Sequence, residues 1–447
     1  MAGGESIPVE GINELSRMES SLRRRLAYHL KALGYERDEN HNIMPPSSTK
    51  EAFRSLHRKQ RIAKLQESSR FIKSGFPRLS SYFASGCEVT PSLIEPKLEL
   101  VRPETFQADL FRLASLTWSV PVSSGYGRRM RFLVWDESIH KIMGIIALGD
   151  PVFNLRVRDQ LIGWNAEDRK ERLVNMMDAY VLGSLPPYNF LLGGKLVASL
   201  VRSKEVRRAF LKKYSGKTGI ISQKVKKADL AMVTTSSALG ASSVYDRLKL
   251  ADVTYFDPIG FTSGWGHFHV PDNLFEDMRI YLEKRGHAYS HNHQFGDGPN
   301  WRIRVVRVAL ELLGLNPDML RHGINREVFV CRLADNAEDY MHGDSRQLHF
   351  SNLLSVKEVG DLALTRWIIP RASRRLEYQS WKNDMILELL DYRKDGSASL
   401  KNGTLPNTNN RHTLQSTIGS VAPMHAGSLG HDNAAPQFQE EIHVPED

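Results

Sequence analysis

Two apolar runs, RMRFLVWDE and KIMGIIALG, follow one another with only Ser138 to His140 between them. Each is too short for a buried helix and is bounded by turn residues, so the pair reads as a β-hairpin of two buried strands. With its flanking segments the hairpin gives residues 97 to 275 a mixed α/β pattern. AEDRKERLVNMMDAY has helical spacing and YVLGSL is short and strand-like. LLGGKLVASLVRSKEVRRAFLKKY is a long helix candidate, ADLAMVTTSS a further strand and SSVYDRLKL a short helix.

Around this core the composition changes. At 447 residues two or three domains are expected. Residues 1–96 read as a basic helical arm, 97–275 as the α/β core, 276–393 as a helical C-terminal region and 394–447 as a disordered tail. The tail is rich in Gly, Ser, Asn, Thr and His and cannot bury enough apolar surface to offset its ordering entropy. In the arm, Leu22, Leu26, Leu30 and Leu33 share a helical stripe, and KEAFRSLHRKQRIAKLQESSRFIKS reads as a second helix. That helix carries Lys50, Arg54, Arg58, Lys59, Arg61, Lys64, Arg70 and Lys73 against Glu51 and Glu67. It is either a solvated amphipathic helix docked by Phe53, Leu56, Ile62 and Leu65, or a surface for backbone phosphates.

Charge and cysteine content narrow the classes. A formal charge of +9 permits nucleic-acid contact without requiring it. Two cysteines, Cys87 and Cys331, are too few for a disulfide framework or a thiolate metal centre. No apolar run reaches the roughly 18 residues of a membrane span. A cytoplasmic protein without membrane contact is the expectation.

The stretch LPPYNFLLGGKLVASL invites a phosphate-loop reading. A Walker loop fails, because Tyr188 and Leu196 occupy its first glycine and its hydroxyl position. A dinucleotide fingerprint fails for want of Gly-x-Gly-x-x-Gly. The order strand YVLGSL, turn PPYNFLLGG and helix KLVASLV resembles the GNAT-type N-acyltransferases, in which amides at such a helix start receive the pyrophosphate of acyl-coenzyme A. That resemblance implies a GNAT-like mixed sheet, Gly193 and Gly194 near the pyrophosphate, and Tyr245 as the acid that protonates the departing thiolate. Phe190 stands where that family has Arg or Gln, and Lys195 where it has a small residue, so the fold is expected ahead of a working site. The other reading is that the two glycines permit close packing of helix on strand.

Three further groups carry candidate chemistry. In GDPVFNLRVRDQLIGWNAEDRKER, Asp150 or Asp159 can serve as a general base and Arg158 as an anion clamp, or the block forms an internal Arg–Asp network. Arg128, Arg129 and Arg131 at the start of the hairpin join Arg58, Lys59 and Arg61 as candidate nucleic-acid contacts. His267/His269 and His291/His293 are paired imidazoles without the Cys or Glu partners of a metal motif, and no metal site is expected. Trp301 with Arg302 and Arg304 suits packing first and stacking second.

Long blocks in order carry one more resemblance. SVPVSSGYGRRMRFLVWDE, MGIIALGDPVFNLRVRDQLIGW, LGSLPPYNFLLGGKLVASLVRSKEV, VTTSSALGASSVYDRLKL and GPNWRIRVVRVALELLG together resemble the DruA family of the bacterial Druantia anti-phage systems. The likeness spans about residues 97 to 315 and continues more weakly to about 375. It implies a role in defence against bacteriophage beside other proteins of the system, including a large helicase-like component. Relatives fused to transposase-like domains add a nucleic-acid context. The resemblance carries over no catalytic residue, and three biochemical roles stay open: a nucleic-acid-binding module, a scaffold for the other proteins of the system, or an acyl-coenzyme A-dependent transferase.

Overall fold

The computed structural model describes residues 9–33, 35–37, 43–44, 50–122, 127–218, 225–226, 228–240, 242–264, 266, 270–291, 299–320 and 324–393. The tail expected to be disordered, and His267, His269 and His293, lie outside them.

The expected hairpin is the fifth and sixth strand across a seven-stranded mixed sheet, toward one edge. Its strands are β1 (Pro96–Leu100), β2 (Arg129–Asp136), β3 (Lys141–Gly149), β4 (Met176–Ser184), β5 (Met232–Ser236), β6 (Asp257–Phe261) and β7 (Glu327–Arg332), in the spatial order β6-β7-β5-β4-β3-β2-β1. β1 to β4 form an antiparallel meander. β4 and β5 are parallel, paired from Met176↔Met232 to Asp178↔Thr234, and β4 then runs on paired with β3 only. β7 lies antiparallel between β5 and β6. The region 276–393, expected to be helical, thus gives the sheet a buried strand. EVFVCR is six residues long and lies between helices, so no alternating run announces it.

Both faces of the sheet are covered. On one face Met130, Phe132, Ile146, Met177 and Phe329 pack under α7 (Gly193–Ser199), α8 (Lys204–Tyr214) and α11 (Val356–Ala363). On the other, Leu133, Ile145 and Val181 meet α2 (Lys50–Glu67), α3 (Ser69–Leu79) and α4 (Phe106–Ser115). That face continues over Met176, Met232 and Val330 under Ile162 and Trp164, which flank the end of α5 (Arg156–Ile162). Leu22, Leu26 and Leu30 of α1 (Val9–Ala32) join a separate core with α9 (Asp272–Lys284) and α10 (Pro299–Leu312). Arg23 Nε closes that core by donating to the Leu313 carbonyl at 2.7 Å. Trp301 belongs to it too, buried edge-on against Phe275, and Arg302 stacks over the same ring, so both serve packing.

Four helix expectations need correction. AEDRKERLVNMMDAY is helical only over Ala166–Arg172, and from Met176 on it belongs to the buried strand β4. KEAFRSLHRKQRIAKLQESSRFIKS is two helices, α2 and α3, that break at Ser68. The long candidate from Leu191 is two helices, α7 and α8, because Ser203 accepts from the Val206 amide and caps a new start. Arg202, nearly fully buried in the break, donates to the carbonyls of Arg332 and Asn352. The stretch SSVYDRLKL is a series of turns rather than a helix, with Arg247 at φ 55. Among the described residues no helix is long and apolar enough to cross a membrane.

Candidate functional site

The polar residues of the core gather at one end of the sheet, where β2, β4 and β5 begin and β3 ends. Arg128 precedes β2 and reaches across this end. Its Nε donates to Asp150 Oδ1 at 2.5 Å, and its terminal nitrogens donate to the carbonyls of Leu173, Val174 and Met176. Arg128 therefore ties the start of β2 to the start of β4, and Asp150 is its partner, exposed on its outer side.

Arg129 and Arg131, one strand period apart, lie over aromatic rings instead. The Arg129 guanidinium is 4.3 Å from the Tyr180 ring centre and Arg131 is 5.6 Å from that of Phe111. Lys213, from the last turn of α8, donates to the Arg129 carbonyl at 2.6 Å. Burial lowers the Lys213 pKa, and the neighbouring charges of Lys217 and Arg131 lower it further. Lys213, Lys217 and Arg131 form no ion pair among the described residues.

Asp159 sits one turn into α5 and is nearly buried. Its Oδ1 accepts from Arg158 Nε and Nη2, and its Oδ2 from the Leu155 amide and Arg169 Nη1. Arg158 is completely buried and gives its other donors to the carbonyls of Val152 and Phe153. The block is thus an internal Arg–Asp network, the second of the two readings its sequence allows. It forms one wall of an open cavity of about 430 Å³ between α5 and α6 (Ala166–Arg172).

Asp178 is the residue that sequence reasoning missed. It stands on β4 beside the parallel junction, where Thr234 Oγ1 donates to its Oδ1 at 2.7 Å. Burial pushes its carboxyl up to about 6, against the opposing pull of Thr234, Arg158 and Arg129. The available signal was an acidic residue inside the apolar run NMMDAY.

The glycine turn lies at the opposite end of β4. Leu185 to Leu192 fold back through a cis Pro186–Pro187 bond, and Leu192 takes the left-handed φ of 63° before α7 begins. A Cβ on Gly193 would lie 2.6 Å from the Tyr188 carbonyl oxygen, whereas one on Gly194 would meet only Ser184 and Val244 at van der Waals distance. The close approach of α7 to the sheet is made at Gly144, where a Cβ would fall 2.7 Å from Val197. Tyr245 lies on the face that α7 covers, its ring against Phe256 and Phe329 and its hydroxyl bonded to Thr235. Burial pushes the Tyr245 hydroxyl up to about 12.

The candidate contacts of α2 divide. Lys59 is exposed and Arg58 half-buried. Arg61 is drawn inward, donating to the carbonyls of Trp118 at 2.9 Å and Leu389 at 2.5 Å. Among the described residues no group of three His, Cys, Asp or Glu side chains is placed to hold a metal ion.

Comparison with known proteins adds what geometry leaves open. No solved structure matches the chain. The family model described as Druantia protein DruA matches residues 47–343. The Druantia protein DruA of Escherichia coli (strain UMEA 4076-1) is 50% identical over 364 residues, covering 81% of this chain and 90% of that protein. With two thirds of its length under the family model and a relative of this identity, the chain belongs to the DruA family of the Druantia anti-phage systems.

Proposed function

We propose that the chain is a nucleic-acid-binding module of its defence system, acting in the cytoplasm beside a helicase-like partner. The observation that carries this reading is the crowding of Arg131, Lys213 and Lys217 at the start of β2 without a paired carboxylate. Like charges held together raise their mutual repulsion, which a row of backbone phosphates relieves. Arg129, stacked on Tyr180, and Lys59 on α2 extend the positive surface. Arg128 and Arg61 act by holding the surface in place, since their donors go to the protein itself. The test is a mobility shift of duplex DNA over a salt series. Affinity falls steeply as salt rises, and Arg131→Gln with Lys217→Gln lowers the slope by about two, at roughly 0.9 per phosphate contact. A flat response, or no shift at low salt, removes the reading.

A second reading takes the core as GNAT-like and its ligand as acyl-coenzyme A. Its support is local: β4 leads through a turn into a helix starting at Gly193, β5 lies parallel to β4, and Tyr245 follows β5. A hydroxyl titrating near 12 keeps its proton at neutral pH, as a general acid must.

A further inference from the structure

The charged side chains of α1 are sorted by direction. Those turned toward α9 and α10 are engaged. Arg25 pairs with Asp277 at 2.5 Å, Glu14 with Lys284, and Glu19 with Arg285 and the Tyr281 hydroxyl, while Arg23 is held by the Leu313 carbonyl. The outward ones are not engaged in this way. Arg17, Arg24 and Lys31 follow one another at intervals of seven residues, and all three are exposed. At about 3.6 residues per turn this spacing keeps them on one face, in a row about 21 Å long. Arg24 Nε donates to the Ser20 carbonyl of its own helix at 3.3 Å, and among the described residues neither Arg17 nor Lys31 has a hydrogen bond or ion pair. Tyr28 stands on the same face between Arg24 and Lys31, 78% exposed and outside the core that α1 shares with α9 and α10.

We propose that the outer face of α1 binds single-stranded nucleic acid, with Arg17, Arg24 and Lys31 along its phosphates and Tyr28 stacked on a base. The proposal rests on the nucleic-acid reading for its class of ligand, and it adds a second surface made of other residues than those at the start of β2. A rigid row of cations is complementary to a phosphate backbone, and here the described carboxylates of the same helix, Glu14 and Glu19, are already held by Lys284 and Arg285. An exposed ring among such cations makes a stacking platform, because every base offers a π face. In a duplex those faces are closed by neighbouring bases, so Tyr28 selects the single strand. A protein partner fits less well. Between the cations and Tyr28 the face carries exposed Ser20 and Ala27, without the apolar centre that a stable protein interface has.

The test uses the full chain and one labelled DNA strand, alone and annealed to its complement, read by fluorescence anisotropy over a salt series. Tyr28→Ala weakens binding of the single strand about tenfold, the worth of one stacked base, without changing the salt slope, and Tyr28→Phe keeps the parent affinity. Arg17→Gln, Arg24→Gln and Lys31→Gln together lower the single-strand slope by about two, at roughly 0.7 per phosphate contact. These side chains are exposed and bond to no other element, so the variants keep the fold. Duplex binding through Arg131 and Lys217 is unaffected by Tyr28→Ala. If the single strand binds through α1 and the duplex does not bind, this proposal stands and the surface at the start of β2 falls. If the α1 variants bind both forms like the parent, while Arg131→Gln with Lys217→Gln weakens both, the nucleic-acid reading stands and this proposal is overturned. If neither form binds, both fall. Variants that keep strand binding but lose co-purification with another protein of the defence system make the face a protein interface, which also overturns the proposal.

Discussion

Replacing Asp178 with Asn isolates the energetics of the parallel junction. Asn keeps the shape of the side chain and an acceptor for the Thr234 hydroxyl, but it cannot ionise. In the native chain burial raises the Asp178 carboxyl from 3.8 to about 6. Between those two values the folded state holds a proton that the unfolded state has released, so stability falls as pH rises through this window. Above it the full cost applies, about 3 kcal/mol at ~1.4 kcal/mol per pKa step. Asp178 retains partial exposure, so about 2–3 kcal/mol is the ceiling. Asp178→Asn is therefore more stable than the parent by that amount at pH 7.5, and by only about 1 kcal/mol at pH 4.5. Urea denaturation of both proteins at the two pH values measures it. A gain that is equal at both, or a loss at pH 7.5, refutes burial as the source of the raised pKa.

The turn before α7 separates structural from ligand roles. Gly193→Ala loses about 1–3 kcal/mol in denaturant melts, because its Cβ meets the Tyr188 carbonyl, whereas Gly194→Ala stays within about 0.5 kcal/mol. Gly194→Ala is therefore the clean probe for acyl-coenzyme A. Calorimetry with acetyl-coenzyme A shows heat in the parent that this variant loses, and no heat in the parent at millimolar ligand ends that reading. Arg128→Met takes the guanidinium donors from Asp150, which keeps the amide of residue 128, and from the carbonyls of Leu173, Val174 and Met176, and costs about 2–3 kcal/mol, while Arg131→Met costs less than about 1 kcal/mol and weakens DNA binding. Thermal melts of the two variants, read beside their mobility shifts, check both halves.

What the sequence discloses follows the range of the interactions involved. The β2–β3 hairpin and the amphipathic α10 are legible because their patterns repeat within a single element. β7 is not, since it is defined by β5 and β6, both far from it along the chain. The break between α7 and α8 is marked only by Ser203, a capping residue within an otherwise continuous helical pattern. The Arg158–Asp159 pair is adjacent in sequence and readable as a network, but its contact with Arg169 depends on how α6 packs. Arg61 illustrates the opposite error. In sequence it is one cation among eight on a basic helix, and only the fold shows the carbonyls of Trp118 and Leu389 holding it inside.

The place of β7 between β5 and β6 has a consequence for how the chain is made. Synthesis proceeds from the N-terminus, so β5 emerges long before the strand that shields its outer side. Throughout that interval the Met232–Ser236 backbone presents an open edge of unpaired amides and carbonyls. α1 waits as well, because α9 and α10 that bury its leucine stripe are translated about as late. The second gap closes once Ile324 has been made and the first only when the ribosome has passed Arg332, so this fold is completed from its far end. A message truncated before Glu327 yields a chain with an exposed strand edge, a template for aggregation more than a smaller domain.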